Sequence, residues 1–377
     1  MTSREEGDEQ LKAELSFALQ QLKLNTKEDG EKVAQKIREF DYLETLELRG
    51  NTLGVEATVP IADALESRPE LRRALWSDLF TGRLKEEIPK TLKLLCDSMS
   101  LCGARLVELD LSDNAIGPMA VPGIKDFLAS EDACELKVLK LNNCGLGIAG
   151  IIAECLMECH RKSLECGTPL QLKTFIAGRN RLEYKSTVAL ANAFTQLRSL
   201  EEIAMPQNGI KAEGIIALSE AIQHNPKLKS LNLNDNTFAE KGALAMAKAL
   251  SRVTSLDSVD FGDCLCRDRG SKEICLQLVE SACPLKHLNL SGNEISYATA
   301  KELIHSVGRI SGIESFKLGT NCFGGQFESL KADVMKNSFL DLGEESDDQG
   351  SLSSGEEDNN ENVSSDADDE DEWAFVS

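Results

Sequence analysis

Apolar residues recur along the chain in short segments of fixed pattern, and the segments themselves repeat. "LVELDLSDNAI" and "LKSLNLNDNTF" place apolar residues at their first, fourth and sixth positions. Because alternate side chains of a strand point to the same face, this spacing predicts a short strand with one buried face. Ten segments follow the pattern, at steps of 28 to 36 residues, beginning at Leu43, Leu71, Leu106, Leu136, Leu172, Leu200, Leu228, Leu256, Leu285 and Ile313.

The stretches between these segments have a different period. In "GIIALSEAIQHNPKL" and "GALAMAKALSRVTSL", apolar residues recur at i, i+3, i+4 and i+7, which predicts amphipathic helices with one buried face. Strand and helix alternating at this period are typical of leucine-rich repeats. We therefore predict an α/β leucine-rich repeat solenoid, a horseshoe or crescent similar to ribonuclease inhibitor, with parallel strands on the concave side and helices on the convex side.

The ninth position of each segment is polar although it lies beside core positions. An asparagine there can hydrogen-bond the backbone where the strand turns away. Two cysteines share the slot, Cys144 and Cys264, and they are predicted to be buried. The asparagines in the slot are Asn51, Asn114, Asn180, Asn208, Asn236 and Asn293.

The composition divides the chain into three parts. Residues 1–42 are predicted to form an N-terminal helical cap, with the helix over residues 11–40. Residues 43–343 form the repeat domain, about ten repeats closed by a C-terminal cap at "FESLKADVMKNSFL". Residues 344–377 are predicted to be a disordered acidic tail, because 344–372 hold 14 acidic residues and no basic one.

Charge and cysteine usage exclude several classes of function. The net charge of −22 argues against a nucleic-acid partner, which would need clustered Lys and Arg. No run of 18 apolar residues predicts a membrane span, and the charged N-terminus is not expected to be a signal peptide. The twelve cysteines lack paired metal spacing, so we predict buried, reduced thiols and no metal site. The four histidines are scattered, and no catalytic cluster or phosphate-binding glycine loop predicts an enzyme.

The residue before each ninth position is predicted to lie on one edge of the sheet, on the loop that leaves the strand. We call this row the rim. Exposed loops are commonly polar, but a long, fixed polar row also fits a protein-binding edge. The rim residues are Gly50, Asp78, Asp113, Asn143, Arg179, Gln207, Asp235, Asp263, Gly292 and Thr320.

The second repeat breaks the pattern at "WSDLFTGRLKEEIP". Its ninth position is Leu79 instead of asparagine, and Gly82 allows unusual dihedral angles just before Arg83. Pro89 suits the first turn of a following helix. The loop is therefore predicted to project Arg83 and Lys85 beside the rim, although both could be ordinary solvated charges.

This loop carries a resemblance to a known family. "LWSDLFTGRLKEEIPKTL" resembles the segment typical of Ran GTPase-activating proteins, and "LKLNNCGLG", "GRNRLE", "QNGIKAEG" and "NDNTF" resemble their other rim segments. The resemblance covers residues 20 to 340. It implies an activator of GTP hydrolysis by the small GTPase Ran, not an enzyme with its own substrate pocket, acting in nucleocytoplasmic transport.

The resemblance also implies roles for particular residues. Arg83 belongs to the functional loop, either as an inserted arginine or in docking. Asn143 is expected to order the catalytic site of the GTPase, and Lys85 and Asp235 to hold the partner. Of the other rim residues, we also select as partner-binding Asp113, Arg179, Gln207 and Asp263.

Further expectations concern the setting. The chain is expected to hold no cofactor of its own, since GTP and Mg²⁺ are bound by the GTPase. Its expected partner is Ran in the GTP form, with a Ran-binding protein as an optional third component, and without nucleic acid or membrane. We expect a cytoplasmic monomer, with the cytoplasmic face of the nuclear envelope as the alternative location.

Two other classes stay open from the sequence. Repeats followed by an acidic tail also describe acidic histone chaperones, although those lack the "FTGR" loop. A ribonuclease-inhibitor-like binding module shares the 28-residue period, but its repeats are uniform, whereas two steps here are 35 and 36 residues long.

Overall fold

The computed structural model of the protein describes residues 13–147, 150–334 and 337–350. Within these ranges, short strands and helices alternate. The strands are β1 (Glu14–Ser16), β2 (Lys23–Leu24), β3 (Thr45–Glu47), β4 (Thr52–Leu53), β5 (Arg73–Leu75), β6 (Glu108–Asp110), β7 (Val138–Lys140), β8 (Thr174–Ile176), β9 (Glu202–Ala204), β10 (Ser230–Asn232), β11 (Ser258–Asp260), β12 (His287–Asn289), β13 (Ser315–Lys317) and β14 (Leu340–Asp341).

The helices follow the strands in turn. Each lies between two consecutive strands of the main sheet, and the interval between β6 and β7 contains two short helices, α4 and α5. They are α1 (Lys27–Glu39), α2 (Val55–Leu65), α3 (Ile88–Cys102), α4 (Gly117–Ala120), α5 (Pro122–Leu128), α6 (Gly150–Glu165), α7 (Tyr184–Leu197), α8 (Ala212–Ile222), α9 (Ala239–Leu250), α10 (Arg267–Glu280), α11 (Tyr297–Val307) and α12 (Phe327–Val334).

The described strands except β2 and β4 form one parallel sheet, and β2 pairs with β4 in a second small one. Register is kept from coil to coil, so that Leu231 of β10 lies opposite Ile203 of β9 and Val259 of β11. These central residues are fully buried and form a continuous core with the inner faces of the helices. Strands stack about 4.8 Å apart and helices about 10 Å apart, so the sheet lies on the concave side. The predicted α/β leucine-rich repeat solenoid is confirmed.

Buried asparagines connect consecutive coils. The Nδ2 group of Asn180 donates to the carbonyls of Leu141 (2.7 Å) and Gly178 (3.0 Å), and its Oδ1 accepts the N–H of Cys144 (2.8 Å). Asn208, Asn236 and Asn293 make the same kinds of bonds in their coils. This ladder satisfies backbone groups where strands end, as the ninth-position pattern predicted.

The tenth repeat adds a ladder member that the sequence analysis did not include. Asn321 is fully buried; its Nδ2 donates to the Leu318 carbonyl at 2.8 Å and its Oδ1 accepts the Asn293 N–H at 2.8 Å. It lies eight residues after Ile313, the same offset as the other asparagines, so the signal was present in the sequence.

The N-terminal cap differs from the prediction of a helix over residues 11–40. The helix α1 is present, but Glu14–Ser16 is a strand that pairs in parallel with β3. Alternation causes this, because Leu15 and Phe17 pack against the core while Glu14 and Ser16 are exposed. The first 42 residues therefore include a further strand-and-helix coil; residues 1–12 lie outside the described ranges.

The C-terminal cap extends past the predicted boundary at residue 343. After α12, the strand β14 adds to the sheet, and the Asp348 carboxylate accepts the backbone N–H groups of Phe323 (2.8 Å) and Gly324 (2.7 Å). Residues 344–350 are thus fastened to the last coil, and the prediction that the disordered tail begins at 344 is wrong for them. The rest of the predicted tail, 351–377, lies outside the described residues.

The predicted buried thiols are largely present. All twelve cysteines are free; nine are buried, Cys102 and Cys134 are half-buried, and Cys166 is exposed. Burial raises the pKa of Cys144 to about 12, so this thiol stays protonated at neutral pH, and its Sγ donates to the Leu111 carbonyl at 3.1 Å. Cys144 and Cys264 therefore replace asparagine as neutral donors in the ladder. Among the described helices, none is long and apolar enough to span a bilayer.

Candidate protein-binding rim

All ten predicted rim residues adopt the same unusual backbone conformation. Each has a positive φ, between 47° and 72°, which is the left-handed region. The N–H of a rim residue donates to the carbonyl just before the rim residue of the next coil, as from Asn143 to Gly178 (2.8 Å) and from Arg179 to Pro206 (2.9 Å). The rim is therefore a rigid, regularly spaced edge formed where the strands end.

The backbone accounts for part of the composition of the rim. A left-handed backbone costs a residue with a Cβ about 1–2 kcal/mol, and Gly, Asn and Asp adopt it most readily. Gly50, Asp113 and Asn143 are therefore explained by the turn alone. Arg179 and Gln207 are not, because their long side chains bring no advantage to this conformation. Their identity points instead to what the side chains contact.

Exposed side chains of adjacent coils form pairs along the rim. The Nδ2 of Asn143 donates to Oδ1 of Asp113 at 3.0 Å, and the Nε2 of Gln207 donates to Oδ2 of Asp235 at 3.0 Å. The bond to Asp113 uses one of the two Nδ2 protons of Asn143. The amide therefore keeps a second N–H donor and its carbonyl acceptor.

Three predicted site residues line one surface depression. Asn143, Arg179 and Gln207 border a depression of about 610 Å³, together with Arg181 and Gly145. Lys85 borders a smaller groove of 300 Å³ with Pro118, Met119 and again Gly145. Lys85 is exposed, as predicted, and lies next to the depression that contains Asn143.

Arg83 does not project from the loop, which corrects the expectation from the sequence. Its guanidinium folds back onto the first coils, where Nε donates to Oγ1 of Thr52 (2.8 Å) and Nη2 to the carbonyls of Thr52 (2.9 Å) and Leu24 (3.0 Å). Gly54 leaves room for it, since an added Cβ would lie 2.8 Å from Nη1. Three acceptors in reach of one planar donor group explain this orientation. In this structure Arg83 fastens the loop that presents Lys85.

The other end of the rim is acidic. Burial, together with the nearby charges of Asp235 and Asp260, raises the pKa of Asp263. Gly292, on the next coil, makes room for this side chain, because a Cβ there would lie 2.0 Å from Oδ1 of Asp263. Asp263 is exposed but does not border the depression that contains Asn143. The rim therefore changes from Arg179 in its middle, with Arg181 beside it, to the carboxylates of Asp235 and Asp263 farther along.

The sequence analysis missed Arg181 as a candidate. It borders the depression with Asn143 and a second one of 500 Å³ with Tyr184 and Lys211. Its φ of 55° is again left-handed, and the equivalent positions on the two neighbouring coils are Gly145 and Gly209. That contrast was visible in the aligned repeats. In the described part of the chain, no group of three or more His, Cys, Asp or Glu residues could hold a metal ion.

The stacked coils, the asparagine ladder and the polar rim define a leucine-rich repeat protein. The family model for the "Leucine Rich repeat" matches residues 224–247 and 281–303. The chain is 52% identical over 357 residues to Ran GTPase-activating protein 2 of Caenorhabditis elegans, covering 92% of this chain and 37% of the relative.

Two further relatives carry the same description. Ran GTPase-activating protein 1 of Xenopus laevis is 54% identical over 199 residues, covering 52% of this chain and 34% of that protein. Ran GTPase-activating protein of Drosophila melanogaster is 42% identical over 201 residues, covering 53% and 34%. The predicted resemblance to Ran GTPase-activating proteins is confirmed. The matches span about a third of the length of these relatives.

Proposed function

We propose that this chain activates GTP hydrolysis by the small GTPase Ran, binding it along the rim. The similarity to Ran GTPase-activating proteins over 92% of the chain is the observation that carries the proposal. The rim supports it with a rigid row of exposed polar side chains on a protein whose fold is suited to binding other proteins.

Asn143 is the proposed catalytic residue of the activator. A small GTPase hydrolyses GTP slowly because its attacking water and its own catalytic side chain are poorly ordered. Asn143 is exposed, and Asp113 restrains its amide through the 3.0 Å bond. A neutral amide with one free donor and one acceptor can hold a polar side chain of the GTPase without bringing a charge into the closed site.

The neighbouring residues are proposed to dock the partner. Lys85, Arg179 and Gln207 surround Asn143 on its depression or the adjoining groove, while Asp235 and Asp263 offer negative charge farther along the rim. Opposite charges on a partner would fix its register along the coils. Arg83 is proposed to act indirectly, by holding the loop before Lys85.

Other parts of the proposal follow from the same interpretation. The chain holds no cofactor of its own, and GTP with Mg²⁺ is bound by the GTPase, whose chemistry the activator assists. The partner is Ran in its GTP form, with a Ran-binding protein as a third component in some complexes. The chain acts as a cytoplasmic monomer or at the cytoplasmic face of the nuclear envelope, in support of nucleocytoplasmic transport.

Single-turnover hydrolysis of GTP on purified Ran tests the proposal. Catalytic amounts of the chain are expected to accelerate hydrolysis strongly, since activators of small GTPases reach about 10⁵-fold. Asn143→Ala is expected to reduce the rate by about 100-fold or more, the usual cost of removing a donor that acts in the transition state.

Two controls separate chemistry from folding. Asn143→Gly suits the left-handed backbone and lacks the amide, so it is expected to lose the same activity while keeping the thermal unfolding temperature of the parent chain. Folded parent chain that leaves the hydrolysis rate of Ran unchanged would refute the proposal. A protein-binding module or a histone chaperone would then be tested by binding of Ran and of histones.

A further inference from the structure

The two arginines beside Asn143 differ from most of the arginines in the described ranges in having no ion pair. Elsewhere on the coils, Arg267 pairs with Glu294 (3.0 Å) and Arg269 with Glu240 (2.7 Å). Within the described ranges, neither Arg179 nor Arg181 has an ion pair or a side-chain hydrogen bond, and both are exposed. Their two positive charges have no ion-pair partner in the described part of the chain, although the chain as a whole has a net charge of −22.

The backbone holds these arginines firmly. Between them, Asn180 is fully buried and bonded into the ladder through both its amide and its backbone N–H. Arg179 and Arg181 on either side have φ values of 58° and 55°. Two left-handed residues with long side chains in three positions are unfavourable for the backbone itself, by about 1–2 kcal/mol each. Such strain points to a role for the side chains.

The coils on either side have no side chain at the position equivalent to Arg181. The position that follows the ladder residue is Gly145 on the coil before, Arg181 here and Gly209 on the coil after. Neither glycine has a side chain to cover its coil, and each lines one of the two depressions, of 610 and 500 Å³, that Arg181 separates. The guanidinium is thus accessible from both sides.

We propose that Arg181 is a docking residue that binds a carboxylate side chain of the partner GTPase, received in the depression of 610 Å³ that Asn143 and Arg179 also border. This inference rests on the proposed function. An exposed guanidinium presents donors that match a carboxylate with two parallel hydrogen bonds. Glu183 and Glu213 line the depression of 500 Å³, but neither forms an ion pair with Arg181, and Glu213 pairs instead with Lys241. Arg179 contributes positive charge to the depression of 610 Å³, and Asn143 borders it, so the contact would place the carboxylate of the partner beside the catalytic amide.

Steady-state hydrolysis by GTP-loaded Ran, measured over a range of Ran concentrations, tests the inference. Arg181→Glu is expected to raise the half-saturating Ran concentration by about tenfold or more, since it places like charges together, and Arg181→Gln by a smaller factor. Both variants should keep the maximal rate within about twofold, because a docking contact acts on binding.

Arg252→Glu is the matched control. Arg252 is exposed just after α9, at the opposite edge of the coils from the rim, so the same change of charge there should leave both kinetic constants unaltered. A half-saturating concentration of Arg181→Glu equal to that of the parent chain, with equal thermal unfolding temperatures, overturns the inference. So does a loss of maximal rate at unchanged half-saturation. Absence of acceleration by the parent chain itself would instead refute the proposed function, and with it the occupant named here.

Discussion

At the scale of single residues, the rim shows how one backbone conformation can resemble a functional pattern. The turn at the end of each strand requires a positive φ. Asp and Asn adopt this conformation readily, and their polar side chains also suit an exposed position. The abundance of Asp on the rim is therefore weak support for binding by itself. Arg179, Gln207 and Arg181 are the stronger indications, because the turn does not favour them.

Asp263 gives a prediction on stability. Its pKa is raised in the folded chain by burial and by the charges of Asp235 and Asp260, above the ordinary value of 3.8. A carboxyl group whose pKa is higher in the folded state lowers stability at neutral pH, and this cost disappears as pH falls below the unfolded value. Asp263→Asn keeps the shape and the left-handed preference without the charge. It should therefore raise the free energy of unfolding at pH 7 by less than about 1 kcal/mol, because the site is partly exposed. The melting temperature at pH 7 should rise slightly as a result.

Thermal unfolding of both proteins between pH 7 and pH 4 measures this. The difference in melting temperature should shrink as the pH falls. A melting temperature of Asp263→Asn below that of the parent at pH 7 would show that the three carboxylates do not destabilise the fold.

Arg83 gives a second prediction at this scale. Arg83→Ala removes three hydrogen bonds to Thr52 and Leu24, two of them to part-buried carbonyls, and should destabilise the chain by about 1–3 kcal/mol. Urea unfolding measures the change, with Arg252→Ala as the control for loss of an exposed arginine. If Arg83→Ala abolished activation of Ran while stability stayed at the parent value, the side chain would act on the GTPase and not on its own loop.

At the scale of elements, the asparagine ladder joins each coil to the next. Asn180→Ala should cost at least about 2 kcal/mol, because the N–H of Cys144 and the carbonyl of Leu141 would be left buried without their partner. Asn143→Gly, one coil away, removes an exposed amide from a left-handed position and should change stability by less than about 0.5 kcal/mol. Chemical unfolding of the two variants compares them directly; equal losses would mean that the ladder bonds contribute little.

Most of the elements could be predicted from periodicity, because both the strand and the helix patterns repeat ten times. The N-terminal strand could not, since only Leu15 and Phe17 mark it and the flanking residues fit a helix equally well. Its assignment depends on β3 offering an edge, which is a tertiary effect. Likewise, Asp348 lies in an acidic stretch whose composition predicts disorder, but two free N–H groups at the last coil bind it.

The site was predicted in position more reliably than in orientation. Repeat alignment placed Asn143, Arg179 and Gln207 on one edge, and they border one depression. The direction of the Arg83 side chain depends on acceptors 31 and 59 residues away in sequence, which no local pattern reveals.

At the scale of the whole molecule, each coil contacts chiefly its two neighbours, and within residues 13–350 the coils at the two ends have one described neighbour each. Among the strands of the described ranges, β1 pairs with β3 alone, and β14 pairs with β13 through two residues. Stability in such a stack should decrease toward its ends. Hydrogen exchange followed by mass spectrometry should show slower exchange in β8 to β11 than in β1 or β14. Uniform protection along the sheet would instead indicate a single cooperative unit.

The regular rim sets the dimensions of whatever binds it. Asp113, Asn143, Arg179, Gln207, Asp235 and Asp263 occupy six consecutive coils, so the row is about 24 Å long at the usual strand spacing of about 4.8 Å. A patch of about 800 Å², the usual area that one partner contributes to a stable interface, is about 28 Å across.

The distance between Asn143 and Asp263 is thus set by the number of coils stacked between them, and loop conformation does not change it. Removing a complete coil, such as residues 207–234, would preserve the pattern of strand and helix but bring the two contact points closer by about 4.8 Å. A rigid partner that touches both could no longer do so. The footprint of the partner is therefore fixed by the number of repeats, and it can change only in steps of one coil.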